Sequence, residues 1–277
     1  MQAVQVIAFL SASGGVGKTT IAAHLAYMFR REGSNVLLVD MDPSAGLSVM
    51  LLGEQRVLEL EGKGRTIGDA FLRFLKGGSV EISDYVVQAN LGEFTVDVVP
   101  SGDSLSDAMG LLWFSGSYPS PEQKVREFLE RSDAQRWDVI LLDTIPFYER
   151  RYTLTSLYTA DKVVIVTHPY GTEPQRVKRM YSKLAQIVRS GIDIKARVLV
   201  NKVDIRTEEG KKALERIDAT LNLPRFNTVI HGRVCYTRVL EMECFRGRNK
   251  SEREAVSELK SFFGELKDWL SVQLTLG

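Results

Sequence analysis

Short apolar runs alternate with longer amphipathic stretches along the chain, the pattern of a parallel sheet covered by helices on both faces. The runs are Val4 to Leu10, Val36 to Val39, Phe94 to Val99, Val139 to Leu142, Val163 to Thr167, Arg197 to Val200 and Thr228 to Ile230. They predict an α/β fold with a mostly parallel, twisted sheet of about seven strands. Gly33 is placed to end the first helix, because glycine takes the left-handed conformation there at little steric cost. Ser120-Pro121-Glu122-Gln123 reads as a capping box that starts a helix running toward Arg131. The Ser/Gly-rich loop from Phe114 to Pro119 reads as a surface connection. Near the C-terminus, Leu259, Phe262, Phe263, Leu266, Trp269 and Leu270 form one apolar helical stripe.

Composition narrows this picture only a little. The 277 residues are 44% hydrophobic and 26% charged with a net charge of +1, ordinary globular values that exclude a histone-like or heavily acidic protein. An α/β chain of this length folds readily around one core, so 1–277 is expected to be a single domain. Residues 1 to 17 carry no charged side chain, yet no Lys or Arg precedes the apolar run. It therefore reads as a first core strand and not as a leader. No run reaches transmembrane length. The 2 cysteines, Cys235 and Cys244, form no C-x-x-C pair and are expected to be free thiols in a reducing cytosol.

The chemistry begins directly after the first apolar run, with Ser13-Gly14-Gly15-Val16-Gly17-Lys18-Thr19-Thr20. Glycines at 14, 15 and 17 let the backbone curl until successive N–H groups, Val16 included, point inward at the start of a helix. A polyphosphate can sit there. Lys18 would face the β- and γ-phosphates, Thr19 would ligate Mg²⁺ and Thr20 would reach the α-phosphate. The strict pattern G-x-x-x-x-G-K-[ST] needs a glycine where Ala12 stands, so a variant of the loop is required.

That variant resembles the deviant phosphate loop of the ParA/MinD family of ATPases, in particular the ParA/Soj-type DNA partition ATPases. In that family a lysine precedes the first of these glycines and reaches across a nucleotide-sandwich dimer; here the position is Ser13. Further motifs follow in family order. Val36 to Val39 with Asp40-Met41-Asp42-Pro43 resembles the second strand and switch I. Trp137-Asp138-Val139-Ile140-Leu141-Leu142-Asp143-Thr144-Ile145-Pro146 resembles the Walker B strand and switch II. Each run delivers carboxylates to the carboxyl edge of a sheet, where ligands bind in open α/β folds. The resemblance implies that Asp143 holds Mg²⁺ through water, that Asp40 supports the magnesium shell near Thr19, and that Asp42 orients the attacking water. Lys18, Asp42 and Asp143 are thus the candidate catalytic residues, and ATP with Mg²⁺ the candidate cofactors.

The base-recognition signal is double. Asn201-Lys202-Val203-Asp204 matches N-K-x-D, the guanine-reading pattern of GTPases, whereas the resemblance places the Asn201 amide against adenine, with a second contact from Ile230-His231-Gly232-Arg233. Adenine is the preferred reading, with His231 a candidate contact, and Asp204 has the alternative of capping the next helix. Basic residues gather late in the chain: Arg176, Arg179 and Lys183 at helical spacing, then Arg233, Arg238, Arg246, Arg248 and Lys250. The resemblance implies sequence-independent DNA binding through this region, with Arg233, Arg238 and Arg246 as candidates.

It further implies an ATP-dependent homodimer, a ParB-like or other adaptor that stimulates slow hydrolysis, and a cytoplasmic, nucleoid-associated location. Three alternatives remain: a MinD-like switch at a membrane, a non-hydrolysing nucleotide-dependent regulator, and a GTPase. The charges opposite the C-terminal stripe, Glu258, Lys260, Glu265, Lys267 and Asp268, nearly cancel. They favour a helix packed on the sheet over a membrane-surface helix, so no stable membrane association is expected. With Ser13 in place of lysine, Arg150 and Arg151 are the candidate cations to act in its stead.

Overall fold

A computed structural model of the chain describes residues 4–188 and 192–271. The fold is α/β, with eight strands among the described residues in mostly parallel sheet pairing. The chain divides into two compact units, taking the described residues of each span. The first is built from Met1–Phe9, Ala26–Ile145 and Glu149–Asp161, the second from Leu10–Leu25, Pro146–Tyr148 and Lys162–Gly277.

In chain order the elements down to the end of the first unit are β1 (Gln5–Leu10), α1 (Lys18–Arg31), β2 (Val36–Met41), α2 (Gly46–Leu52), α3 (Glu54–Gly62), α4 (Ile67–Leu75), β3 (Val87–Leu91), β4 (Phe94–Val99), α5 (Ser104–Phe114), α6 (Lys124–Arg131), β5 (Val139–Thr144) and α7 (Arg150–Thr159). Strand order in this unit is β3-β4-β2-β5-β1. Every residue of β2 and β5 is buried, as expected of central parallel strands covered on both faces. Their parallel register sets Asp40 opposite Asp143, while β1 sets Phe9 opposite the same Asp143.

The second unit continues with β6 (Lys162–Thr167), α8 (Glu173–Val188), α9 (Ile192–Lys195), β7 (Ala196–Val203), α10 (Glu208–Leu221), β8 (Arg225–His231) and α11 (Lys250–Ser271). Its strands lie in the order β6-β7-β8, all parallel. The C-terminal stripe packs here as expected. Phe262 and Trp269 meet Phe226 of β8 edge-on, with ring centres 4.9 and 5.5 Å away. Glu265 of α11 accepts the β8 main-chain N–H groups of Asn227 and Thr228, which satisfies amides of that strand. No helix among the described residues is long and apolar enough to cross a membrane.

Two sequence expectations need correction. Among the described residues the strand count is eight, because β3 pairs antiparallel with β4 across the turn at Gly92, which has φ 57°. Gln88 and Asn90 make β3 polar on one face, and an edge strand of alternating burial gives no apolar run to detect. Ser120 makes no capping bond either. Pro121–Gln123 forms a 3₁₀ turn and α6 starts at Lys124, although it does end at Arg131. A reciprocal capping box forms instead at α4. Asp69 Oδ2 accepts the Thr66 N–H at 3.0 Å, and Thr66 Oγ1 accepts the Asp69 N–H at 3.3 Å. Gly33 does end α1, with φ 89° and its N–H on the Arg30 carbonyl.

Candidate functional site

The phosphate loop belongs to the second unit. Gly15 and Gly17 take φ 75° and 98°, the left-handed region in which a side chain is strained. Gly14 and Gly15 are exposed and Val16 is buried, so the loop is anchored on one side and open on the other. Lys18 is buried, its Nζ donating to Ser11 Oγ at 3.0 Å, and Ser11 Oγ donates in turn to the Ser13 carbonyl at 2.8 Å. Thr19 and Thr20 are half-buried in the first turn of α1.

Two residues from the end of β7 staple this loop. Asn201 Nδ2 donates to the Val16 carbonyl at 2.8 Å, and Lys202 Nζ donates to the Gly15 carbonyl at 2.5 Å. A Cβ on Gly17 would lie 2.4 Å from Asn201 Nδ2, so close approach as well as backbone geometry requires glycine there. The Asn201 amide thus holds the loop in place, a role its sequence context did not suggest.

Ser13 has an unforeseen partner. Its Oγ donates at 2.5 Å to Oε2 of Glu173, the first residue of α8, which is buried. The helix N-terminus favours a carboxylate at that place. Thr172-Glu173-Pro174 marks a helix start in the sequence, but nothing local links it to Ser13.

The carboxylates belong to the first unit. Asp40 is fully buried. It accepts the Ser48 N–H and Oγ at 2.9 and 2.7 Å and the Asp42 N–H at 3.1 Å. Burial first, and then the Asp143 carboxylate, push its pKa up to about 7. Asp143 is also buried, whereas Asp42 is half-buried and accepts the Ser44 N–H at 2.9 Å. Arg150 is exposed at the start of α7. Arg151 is held by Glu149 at 2.7 Å, with its guanidinium 5.1 Å from the ring centre of Phe114.

In the second unit, the loops after β7 and β8 border a cavity of about 1010 Å³ lined by Lys202, Asp204, Arg206, His231, Gly232 and Arg233 among others. It is large enough to admit a nucleoside. His231 lines it, but its N–H and Nδ1 are both engaged with Glu258, at 3.0 and 2.9 Å. The expectation of free thiols is overturned: Cys235, which lines the cavity, forms a disulfide with Cys244 at a Cα–Cα distance of 5.0 Å. Two successive 3₁₀ turns, Val234–Thr237 and Glu243–Arg246, fold the intervening chain back on itself and bring the two sulfurs together.

The DNA-binding candidates divide. Arg233 is paired with Glu254 and Glu258 of α11, and Arg238 with Glu243, so both are largely neutralised. Arg246 is exposed. Arg176, Arg179 and Lys183 are exposed along α8 together with Lys178, and Glu173 is the only acid in that helix.

Residues 4–196 match the AAA_31 family, described as an AAA domain. The chain is 26% identical over 272 residues to an uncharacterized protein of Methanocaldococcus jannaschii, covering 96% of this chain and 97% of that one. It is 29% identical over 233 residues to the chromosome-partitioning ATPase Soj of Thermus thermophilus, covering 82% and 81%. Among solved structures, a variant of McdA of Cyanothece in complex with ATP superposes with a TM-score of 0.74 at 19% identity, over 97% of this chain and 96% of the other. That likeness is one of fold.

Proposed function

The chain belongs to the AAA_31 family of P-loop domains, and on that premise we propose that it is a ParA-like ATPase acting in DNA partition. The observation that carries this reading is the stapled glycine loop that opens α1, with buried Lys18 beneath it. The chain's likeness to the chromosome-partitioning ATPase Soj over most of both chains supports the choice within the family.

In this reading the main-chain N–H groups of Gly14 to Thr19 and the Lys18 ammonium bind the ATP phosphates, and Thr20 meets the α-phosphate. Among the described residues no cluster of three acidic, histidine or cysteine side chains could cage a metal. Magnesium needs no such cage, since it binds through one or two protein oxygens and the substrate phosphates. Thr19 and Asp143 are the residues that would hold it, Asp40 would support its shell, and it would neutralise charge on the phosphates. Asp42 orients the water that attacks the γ-phosphate in line.

ATP closes a homodimer that binds DNA without sequence preference, and an adaptor protein stimulates hydrolysis and release in the cytoplasm. The exposed cations of α8 and Arg246 supply the DNA surface better than Arg233 and Arg238, whose charges are already paired. The burial of the α11 apolar stripe against β8 speaks against a membrane switch. Ser13 bonded to Glu173, in place of a free cation, favours one second reading, a nucleotide-dependent regulator that turns over little.

The test is calorimetry with Mg²⁺-ATP together with phosphate release in the presence of DNA. Lys18→Ala is expected to lose tight binding, and unchanged affinity would remove the site assignment. Asp42→Ala is expected to keep ATP and lose turnover. A wild type that binds ATP without turnover, even with DNA and a cognate adaptor, is the regulator.

A further inference from the structure

Asp204 stands where three contacts place it. Asn201 and Lys202 are tied to the Val16 and Gly15 carbonyls of the phosphate loop, and the Asp204 N–H donates to Tyr170 Oη at 2.6 Å. Lys202 takes φ 57°, a conformation that non-glycine residues keep only when their surroundings hold them there. The turn after β7 is therefore fixed relative to the loop, and it presents Asp204 at the wall of the cavity, which is large enough to admit a nucleoside.

The Asp204 carboxylate does not face that cavity bare. Arg206 Nε donates to Oδ1 at 2.8 Å and Nη2 to Oδ2 at 2.9 Å, a two-pronged clamp, and the Arg206 main-chain N–H adds a bond to Oδ1 at 3.1 Å. Purines differ in what they ask of such a group. Guanine offers two adjacent donors, N1–H and the N2 amino group, which a bare carboxylate accepts with both oxygens. Adenine offers the N6 amino donor beside the N1 acceptor, whose lone pair a bare carboxylate repels. With both oxygens engaged by a guanidinium, the carboxylate has lost the arrangement that guanine needs, and the pair shows the base a mixed donor and acceptor edge.

We propose that Arg206 is a specificity-determining residue: by clamping Asp204 it withholds the carboxylate from guanine and leaves the cavity to adenine nucleotides. The inference rests on the ATP reading above and names what enforces it. Arg206 is 82% exposed, and exposed ion pairs are individually weak, so the clamp biases the choice of base by about fivefold and does not make it absolute.

Dissociation constants for Mg²⁺-ATP and Mg²⁺-GTP, measured by calorimetry on the wild type, Arg206→Ala, Asp204→Ala and the double variant, test it. Both side chains lie at the surface, and melting curves without nucleotide check that each variant folds. The wild type is expected to bind ATP more tightly. Arg206→Ala is expected to gain about fivefold in GTP affinity relative to ATP, and Asp204→Ala in that background to erase the gain. An unchanged ATP to GTP ratio in Arg206→Ala, with a wild type that prefers ATP, overturns the clamp and leaves the ATP reading standing. A wild type that prefers GTP overturns both.

Discussion

The Ser13 hydroxyl donates a 2.5 Å hydrogen bond to Oε2 of Glu173, while Oε1 of the same buried carboxylate has no hydrogen-bond partner among the described residues. A buried carboxylate is costly unless its charge is offset, so this bond and the N-terminus of α8 are what make Glu173 tolerable. Ser13→Ala is expected to lower stability by about 1–3 kcal/mol, because it leaves Glu173 with neither oxygen bonded. Glu173→Gln in that background should recover part of the loss. Urea denaturation checks both; a Ser13→Ala protein as stable as the parent would make the bond irrelevant to folding.

The same pair changes what a lysine at position 13 would do. Its ammonium would be captured by Glu173 in the same subunit and would not be free to cross to another. Ser13→Lys alone is expected to leave dimerisation and turnover near the parent values, and Ser13→Lys with Glu173→Gln to raise one of them. Light scattering and phosphate release on the two proteins decide between this and an independent lysine.

Gly15 and Gly17 share a left-handed backbone but not their surroundings. A methyl group on Gly15 meets nothing within 4 Å, whereas one on Gly17 lies 2.4 Å from Asn201 Nδ2. Gly17→Ala should therefore break the staple to β7 and weaken ATP binding at least tenfold more than Gly15→Ala, about 1.4 kcal/mol or greater. Equal affinities in calorimetry would show that the Asn201 contact does not shape the loop.

His24, in the second turn of α1, is fully buried against Tyr236 and Phe245, and burial lowers its pKa to about 4 from the usual 6.5. Between those values the unfolded chain takes up a proton that the folded chain refuses. Stability contributed by His24 is therefore present above pH 6.5 and lost as the pH falls toward 4, at up to about 1.4 kcal/mol per pH unit. In His24→Phe that part of the slope should vanish, whatever the change in absolute stability. Denaturation curves at several pH values compare the two proteins, and parallel slopes would refute the assignment.

The Cys235–Cys244 bond closes a short loop beside the cavity. Its reduction by a dithiol is expected to cost about 2–3 kcal/mol by releasing the unfolded chain from that constraint. Denaturation with and without reductant, alongside thiol alkylation and intact mass, measures it. Two alkylated thiols in the untreated protein would remove the bond from consideration.

The sequence by itself determined the features whose causes are local. The glycine loop between a buried strand and a helix, the end of α1 at Gly33, and seven of the strands all follow from spacing and backbone preference within a few residues. The pairing of Asp40 with Asp143 was nearly legible too, because both end apolar runs that can only be central strands. Tertiary structure alone decided what met these groups from far along the chain. Ser13 and Glu173 are 160 positions apart, and Val16 and Asn201 are 185. Arg233 reads as an open cation until α11 folds back to place Glu254 and Glu258 beside it. Charge in a sequence shows how much is present, whereas its availability depends on which opposite charge the fold brings within hydrogen-bond reach.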